Sequence, residues 1–215
     1  MSNFDIETKI LLDNQIPSLF YNSSHALVAG ADEVGRGCLA GPVVACCLAF
    51  KANVPADLLL QIDDSKKLSP KKRETLFNQI KDYSHYKIGV VDVETIDKIN
   101  ILQASLLAMS NAFEDLLQEI NPQFLIIDGN KSFTASVPTT AVIDGDAKSL
   151  SIAAASIVAK VYRDNLMKEL GKDFPNYAWG KNAGYGTKVH LLAVNKYGIT
   201  PYHRKTFAPI KNMFK

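Results

Sequence analysis

Cysteine is scarce in this chain, long apolar runs are missing, and the carboxyl-terminal stretch contains no acid. The three cysteines, Cys38, Cys46 and Cys47, show no CxxC spacing, and no suitably spaced pair of histidines accompanies them. That argues against a zinc site. Two adjacent cysteines in an apolar run are expected to be small core residues in a reducing compartment. The amino terminus, MSNFDIETKILLDNQ, carries acidic residues early and no long apolar stretch, which argues against a secretory signal or a membrane span and for a cytoplasmic protein. No low-complexity linker and no internal repeat divides the sequence. With 215 residues, 47% of them hydrophobic, a single domain over 1–215 is expected, comprising a lead-in over 1–25 and a basic, aromatic-rich helical part over 174–215.

The absence of acid is confined to that last part. From Phe174 to Lys215 there is no Asp or Glu, against seven cations: Lys181, Lys188, Lys196, Arg204, Lys205, Lys211 and Lys215. The formal net charge of +2 therefore hides an acidic remainder, with 17 basic and 22 acidic residues in 1–173. The same tail holds Phe174, Tyr177, Trp179, Tyr185, Tyr197, Tyr202, Phe207 and Phe214. Cations interleaved with flat rings suit a polyanion surface; a solvated basic helix over core aromatics is the alternative.

What is present is organised around Ala29-Gly30-Ala31-Asp32-Glu33-Val34-Gly35-Arg36-Gly37. Residues 27–31 read as a strand ending at Asp32, and residues 43–50 as a second strand completing a hairpin. Ser69-Pro70 opens a helix over 70–81, with serine as N-cap and proline as first helical residue. Residues 86–93 suit a third strand. Ile99, Leu102, Leu106, Met109, Phe113, Leu116 and Ile120 form one apolar stripe, predicting a helix that Asn121-Pro122 ends. Residues 124–127 read as a strand covered on both faces, stopping at Asp128-Gly129. A short strand over 141–143, an alanine-rich helix over 149–170 and a helix over 187–197 closed by Gly198 follow. This order predicts an α/β fold, a central mixed sheet with helices packed on it.

Asp32, Glu33, Asp128 and Asp146 each end an apolar segment beside glycine. Taken singly, Asp next to Gly is an ordinary turn residue. Taken together, strands ending at one sheet edge would gather these carboxylates, which is unfavourable unless they are protonated or neutralised by cations. Mg²⁺ suits such oxygen ligands, and two ions can clamp the attacking and leaving oxygens of a phosphoryl displacement without a histidine base. His25, His85, His190 and His203 are scattered and read as surface or capping residues. One conflict arises locally, because adjacent strand residues point to opposite faces. Asp32 and Glu33 can share a site only if the chain bulges or turns there, or if Glu33 reaches in from another angle.

Five segments in order, ADEVGRGCLAGPVVA, DSKKLSPKKRE, IIDG, GDAKSLSIAAASIVAKVYRD and GYGTKVH, resemble bacterial ribonuclease HII over most of the chain. The resemblance implies a ribonuclease H-like α/β fold with a small helical carboxy-terminal part. It also implies Mg²⁺- or Mn²⁺-dependent endonucleolytic cleavage of RNA in RNA/DNA hybrids and at ribonucleotides embedded in duplex DNA, giving 3′-hydroxyl and 5′-phosphate ends. Carried over by position, Asp32, Glu33, Asp128 and Asp146 match the family's metal-binding set. Gly35, Arg36 and Gly37 match its GRG motif, which contacts the backbone around the ribonucleotide. Tyr185 matches the tyrosine that senses the 2′-hydroxyl, and Lys66 is a phosphate contact. The GRG form favours type HII over type HIII, and Cys38 departs from the proline common after GRG. The expected partners are hybrid and ribonucleotide-containing duplexes, with no membrane, and a monomer is the default. The competing readings are another metal-dependent nuclease or strand transferase, and a non-catalytic nucleic-acid binding module.

Overall fold

The computed structural model describes residues 3–13 and 28–213. His25, Leu27, Phe214, Lys215 and most of the expected lead-in lie outside the described residues. The amino-terminal helix α1 (Asp5–Asp13) precedes the hairpin of β1 (Val28–Val34) and β2 (Val43–Phe50). A short α2 (Ala56–Leu59) and α3 (Pro70–Asp82) lead to β3 (Ser84–Val91), then to α4 (Val93–Ile99) and α5 (Ile101–Leu117). The second half runs through β4 (Phe124–Asp128), β5 (Thr139–Val142), α6 (Gly145–Lys148) and the long α7 (Leu150–Asp173). Three further helices, α8 (Trp179–Asn182), α9 (Lys188–Tyr197) and α10 (Ile210–Met213), build the carboxyl-terminal part. No helix among the described residues is long and apolar enough to cross a membrane.

The expected mixed sheet forms with strand order β3-β2-β1-β4-β5. β1–β2 and β2–β3 are antiparallel, whereas β1–β4 and β4–β5 are parallel. β2 lies inside the sheet and is covered on both faces, which explains its unbroken apolar sequence. Ala45, Cys47 and Ala49 face the core under α5, with Met109, Phe113 and Leu116. Cys46 and Leu48 face the core under α7 and α3, with Ile157, Val158, Leu76 and Ile80. All three cysteines are buried free thiols, as their setting predicted. Burial of side chains such as Phe113 and Leu116 contributes roughly 1.5–3 kcal/mol each. Small residues bring α7 close to the sheet: a Cβ on Gly30 of β1 would collide with the backbone of Ser151 and Ile152.

The helix predicted across residues 99–120 is α5, Ile101–Leu117, and a short α4 that the sequence does not announce precedes it and ends at Ile99. Asn100 takes a positive φ of 68° and its side chain accepts hydrogen bonds from the backbone N–H groups of Leu102 and Gln103, ending α4 and capping α5. The apolar stripe continues across this break, so periodicity alone does not disclose it. Asparagine tolerates the left-handed region because its short amide bonds locally.

The carboxyl-terminal part has its own core of Met167, Tyr177, Trp179, Ala193 and Val194. Within it, His190 and His203 are fully buried, which corrects the expectation of surface or capping roles. His85 does lie at the surface, with Nδ1 2.6 Å from Glu119. Burial holds the His190 imidazole below its ordinary value, and burial together with the neighbouring His190 pulls His203 down to about 4. Both rings are neutral in the fold, whereas an unfolded chain protonates histidine near pH 6.5. Stability from this pair is thus complete above about pH 6.5 and is lost as pH falls towards 4. Thermal midpoints of the wild type and His203→Gln should converge over that interval; a constant difference would show that His203 does not titrate with folding.

Candidate active site

β1 does not stop at Asp32. It stays paired with β2 through Asp32–Cys46, Glu33–Ala45 and Val34–Val44, so no bulge resolves the conflict between the adjacent carboxylates. Their faces are indeed opposite. Asp32 points to the α7 side, where Ser156 hydrogen-bonds its carboxylate, and Glu33 follows Ala29 and Ala31 on the α5 side. With a bulge excluded, what links Glu33 to the other carboxylates is the Asp128 charge that acts on it, while its own Oε1 pairs with Arg36 at 3.1 Å.

The parallel register ending at Ala31–Ile127 brings Asp128, the last residue of β4, alongside Asp32. Both Asp32 and Glu33 feel the Asp128 charge. Asp128 Oδ1 accepts from the Gly145 N–H at 2.7 Å, which ties the start of α6 to the strand end. The next residue, Asp146, is buried on α6 rather than at a strand terminus, and its Oδ2 lies 3.0 Å from Lys66 Nζ. Burial pushes the Asp32 carboxyl well above the ordinary range, and the Glu33 and Asp128 charges push it further. Burial also raises Glu33 against the lowering effect of Arg36, and raises Asp128 against the Gly145 hydrogen bond. Two cations offset part of this crowding, Lys66 on Asp146 and Arg36 on Glu33 at 3.1 Å. Partial burial works against the Lys66 charge, yet the Asp146 hydrogen bond and the Asp146 and Asp64 charges hold its ammonium above the ordinary lysine value.

These carboxylate oxygens are the hard donors that a divalent cation requires. Their raised proton affinity marks a site where an added positive charge is favourable. Among the described residues no three His, Cys, Asp or Glu side chains form a ready cation cage, and Glu33 and Asp146 instead face their ammonium and guanidinium partners. The donor chemistry fits a divalent cation that would take the place of those ion pairs.

Beside the carboxylates, residues 35–42 are held from behind by two buried arginines. Arg163 of α7 donates to the carbonyls of Pro42 at 2.9 Å, Ala40 at 3.1 Å and Ala183 at 2.8 Å. Arg204 donates to the Arg36 carbonyl at 2.8 Å and to Gly41 at 3.1 and 2.9 Å. Gly35, at φ 95°, passes so close to the Arg163 guanidinium that any Cβ would overlap it. The carbonyls of Arg36, Ala40, Gly41 and Pro42 are turned inward on these arginines. Arg36 and Gly37 are exposed and their amide N–H groups meet no backbone acceptor among the described residues, whereas Cys38 is buried. Tyr185 stands next to Gly37, 41% exposed, its ring 3.9 Å from where a Cβ of that glycine would lie.

Sequence reasoning placed Arg204 on the cationic surface of the tail. It is fully buried instead; burial lowers it only to about 10, so it is charged at neutral pH and bonds the loop. Lys205 remains exposed. Tyr177 and Trp179 likewise belong to the core, whereas Tyr185, Tyr197 and Tyr202 stay accessible. Arg163 was missed. Its signal lay in the four-residue steps Ala159, Arg163, Met167, all buried on α7, a core stripe with one cation in it. Ser156 was also missed; besides facing Asp32 it hydrogen-bonds Ser65 at 2.9 Å, anchoring the segment that carries Lys66.

The crowding has a measurable cost. Asp32→Asn keeps an oxygen for the Glu33 N–H, which Asp32 Oδ1 accepts at 2.7 Å, and removes the buried charge. In chelator it should raise the thermal midpoint, because the buried charge that burial and neighbouring carboxylates disfavour is gone; a lower thermal midpoint for the variant would contradict this electrostatic picture.

Comparison with known proteins agrees with this geometry. The family model described as Ribonuclease HII matches residues 29–210, the span holding the carboxylates, the 35–42 loop and Tyr185. A ribonuclease HII of Enterococcus faecalis is 50% identical over 202 residues, covering 93% of this chain and 76% of that protein. One from Ehrlichia chaffeensis is 45% identical, covering 100% of this chain and 98% of the relative. Among solved structures, the ribonuclease H2 of Pyrococcus horikoshii is 26% identical with TM-score 0.68, covering 86% of this chain and 96% of that one. Bst-RNase HIII in complex with Mn²⁺ shares the fold at TM-score 0.69 and 18% identity, over 90% of this chain and 71% of its own. With the mixed sheet, its flanking helices and this match over most of the length, the chain belongs to the ribonuclease HII family and is a ribonuclease H enzyme.

Proposed function

We propose that this endonuclease hydrolyses the RNA strand of RNA/DNA hybrids and cuts on the 5′ side of ribonucleotides embedded in duplex DNA, leaving 3′-hydroxyl and 5′-phosphate ends. The observation that carries the reading is a juxtaposition. Asp32, Glu33 and Asp128 interact at one sheet edge, and the same β1 strand runs on directly into the inward-anchored loop, whose exposed Gly37 lies beside Tyr185.

Asp32, Glu33, Asp128 and Asp146 would hold the divalent metal on which the family depends, Mg²⁺ or Mn²⁺, with two ions during catalysis. Bound there, the metal supplies Lewis-acid stabilisation of the scissile phosphate and a water of lowered pKa. The remaining tasks fall to the protein. The exposed Arg36 and Gly37 amides can take the oxygens around a ribonucleotide, and Tyr185 can contact the sugar. A 2′-hydroxyl is what separates RNA from DNA at such a site, whatever the base. Arg36 and Lys66 already face carboxylates and lie at the surface, where their free donors can meet phosphates. A monomer in the cytoplasm fits a site built within one chain and three unpaired cysteines.

Asp128→Asn should lower hybrid cleavage by at least about 100-fold while hybrid affinity stays within about threefold, since metal removal strikes the chemical step more than binding. Gel-shift and single-turnover assays on one hybrid read both quantities. Retained cleavage would remove Asp128 from the mechanism, and lost binding with lost cleavage would favour a non-catalytic module.

A further inference from the structure

We infer that His190 and His203 are positioning residues for ribonucleotide selection, a strut that fixes Tyr185 relative to the 35–42 loop. The inference rests on the proposed role of Tyr185 and deepens it. Neither ring is exposed, so neither touches nucleic acid.

The hydrogen bonds permit one arrangement of protons. His190 Nδ1 lies 2.9 Å from the Tyr185 carbonyl, an acceptor only, so Nδ1 carries the proton. Nε2 of the same ring is then an acceptor, facing Trp179 Nε1 at 3.1 Å and His203 Nε2 at 3.0 Å. His203 must donate from Nε2, which leaves its Nδ1 to accept from the Thr200 N–H at 2.9 Å. Each ring is neutral and bonded at both nitrogens, and a rigid path runs from Thr200 through His203 and His190 to the Tyr185 carbonyl.

The two ends of this path belong to different halves of the reader. Residues 202–204 form the strip against which the loop is laid: Ala40 bridges His203, Gly41 N–H donates to Tyr202 at 2.8 Å, and Arg204 N–H donates to Leu39 at 2.9 Å. His190 is on α9, beyond the turn that carries Tyr185. That turn touches the loop through the Gly184 carbonyl, which accepts from Leu39 at 2.8 Å and Ala40 at 3.3 Å. The ring-to-ring bond closes the circuit on the buried side. An imidazole can accept at one nitrogen and donate at the other across a stiff plane, whereas a flexible amide of similar reach must spend rotamer freedom to do so.

The test is a double-mutant cycle with Tyr185→Ala, read as single-turnover cleavage of a DNA duplex containing one ribonucleotide and as affinity for the all-DNA duplex. His203→Phe keeps a ring to pack on Tyr177 and Trp179, which lie 5.0 and 5.4 Å away between centroids, and removes the ring's polar contacts to His190 and to the N–H and hydroxyl of Thr200. It should slow cleavage by about 10- to 100-fold, the scale on which misplacement of a positioning group acts, with all-DNA affinity unchanged. In the Tyr185→Ala background it should add less than about twofold, because the two residues act on one step. His203→Gln, which can still donate to His190, should recover part of the rate, and it carries the same cycle if His203→Phe does not fold. Full additivity with Tyr185→Ala would overturn the inference while leaving the role of Tyr185 intact. If Tyr185→Ala alone leaves cleavage at the ribonucleotide unchanged, the reading of Tyr185 fails and the strut fails with it.

Discussion

Carboxylates gathered at one edge of a sheet repel one another, and burial raises the cost of each charge. That cost organises this protein. Asp32, Glu33 and Asp128 all have raised proton affinity from burial first and a neighbouring carboxylate second: Glu33 and Asp128 beside Asp32, Asp128 beside Glu33, and Asp146 beside Asp128. Nothing in the packing of α5 and α7 on the sheet requires acids there. The core would be served by any residues of fitting size at those positions, so the fold sustains an unfavourable charge density whose natural complement is a hard cation. Lys66 and Arg36 supply partial compensation from the surface.

A second set of charges is treated in the opposite way. Arg163 and Arg204 are buried, and the hydrogen bonds they make run to backbone carbonyls rather than to carboxylates. Hydrogen bonds to a charged group contribute about 1.5–3 kcal/mol each, and a charge left without them would not survive burial. The loop at 35–42 is therefore shaped by its need to satisfy two guanidinium groups. Its carbonyls at residues 36, 40, 41 and 42 are consumed inside, and Arg36 and Gly37 are left exposed at its tip. Acid cluster and loop are consecutive in sequence, so the strand that places the carboxylates also sets where the loop begins.

Most of the sheet, with Asp32 and Asp128 on neighbouring strands of it, could be read from the sequence because it rests on local patterns, an apolar run meeting an acid near glycine; Asp146 instead sits on α6. The family resemblance added Arg36, Lys66 and Tyr185 by position. What the sequence concealed depends on partners distant in the chain. Asn100 separates α5 from a short upstream α4 that the stripe beginning at Ile99 does not disclose. Arg204 sits among exposed-looking cations such as Lys205, and its burial follows only from carbonyls at residues 36 and 41. His190 and His203, thirteen residues apart, look unrelated until Trp179 and Thr200 are seen to fix their protons. The angle between Asp32 and Glu33 was a stated conflict, and an unbroken β1–β2 register resolved it against a bulge.

An acidic edge that takes a divalent cation, beside a loop that selects a ribonucleotide, has a direct consequence for cleavage of a DNA duplex carrying one ribonucleotide, followed against Mg²⁺ concentration beside the same duplex without it. No cutting in chelator, metal-dependent cutting on the 5′ side of the ribonucleotide, and an intact all-DNA duplex throughout are expected. Cutting in chelator, or equal cutting of both duplexes with Mg²⁺, would contradict this assignment of edge and loop.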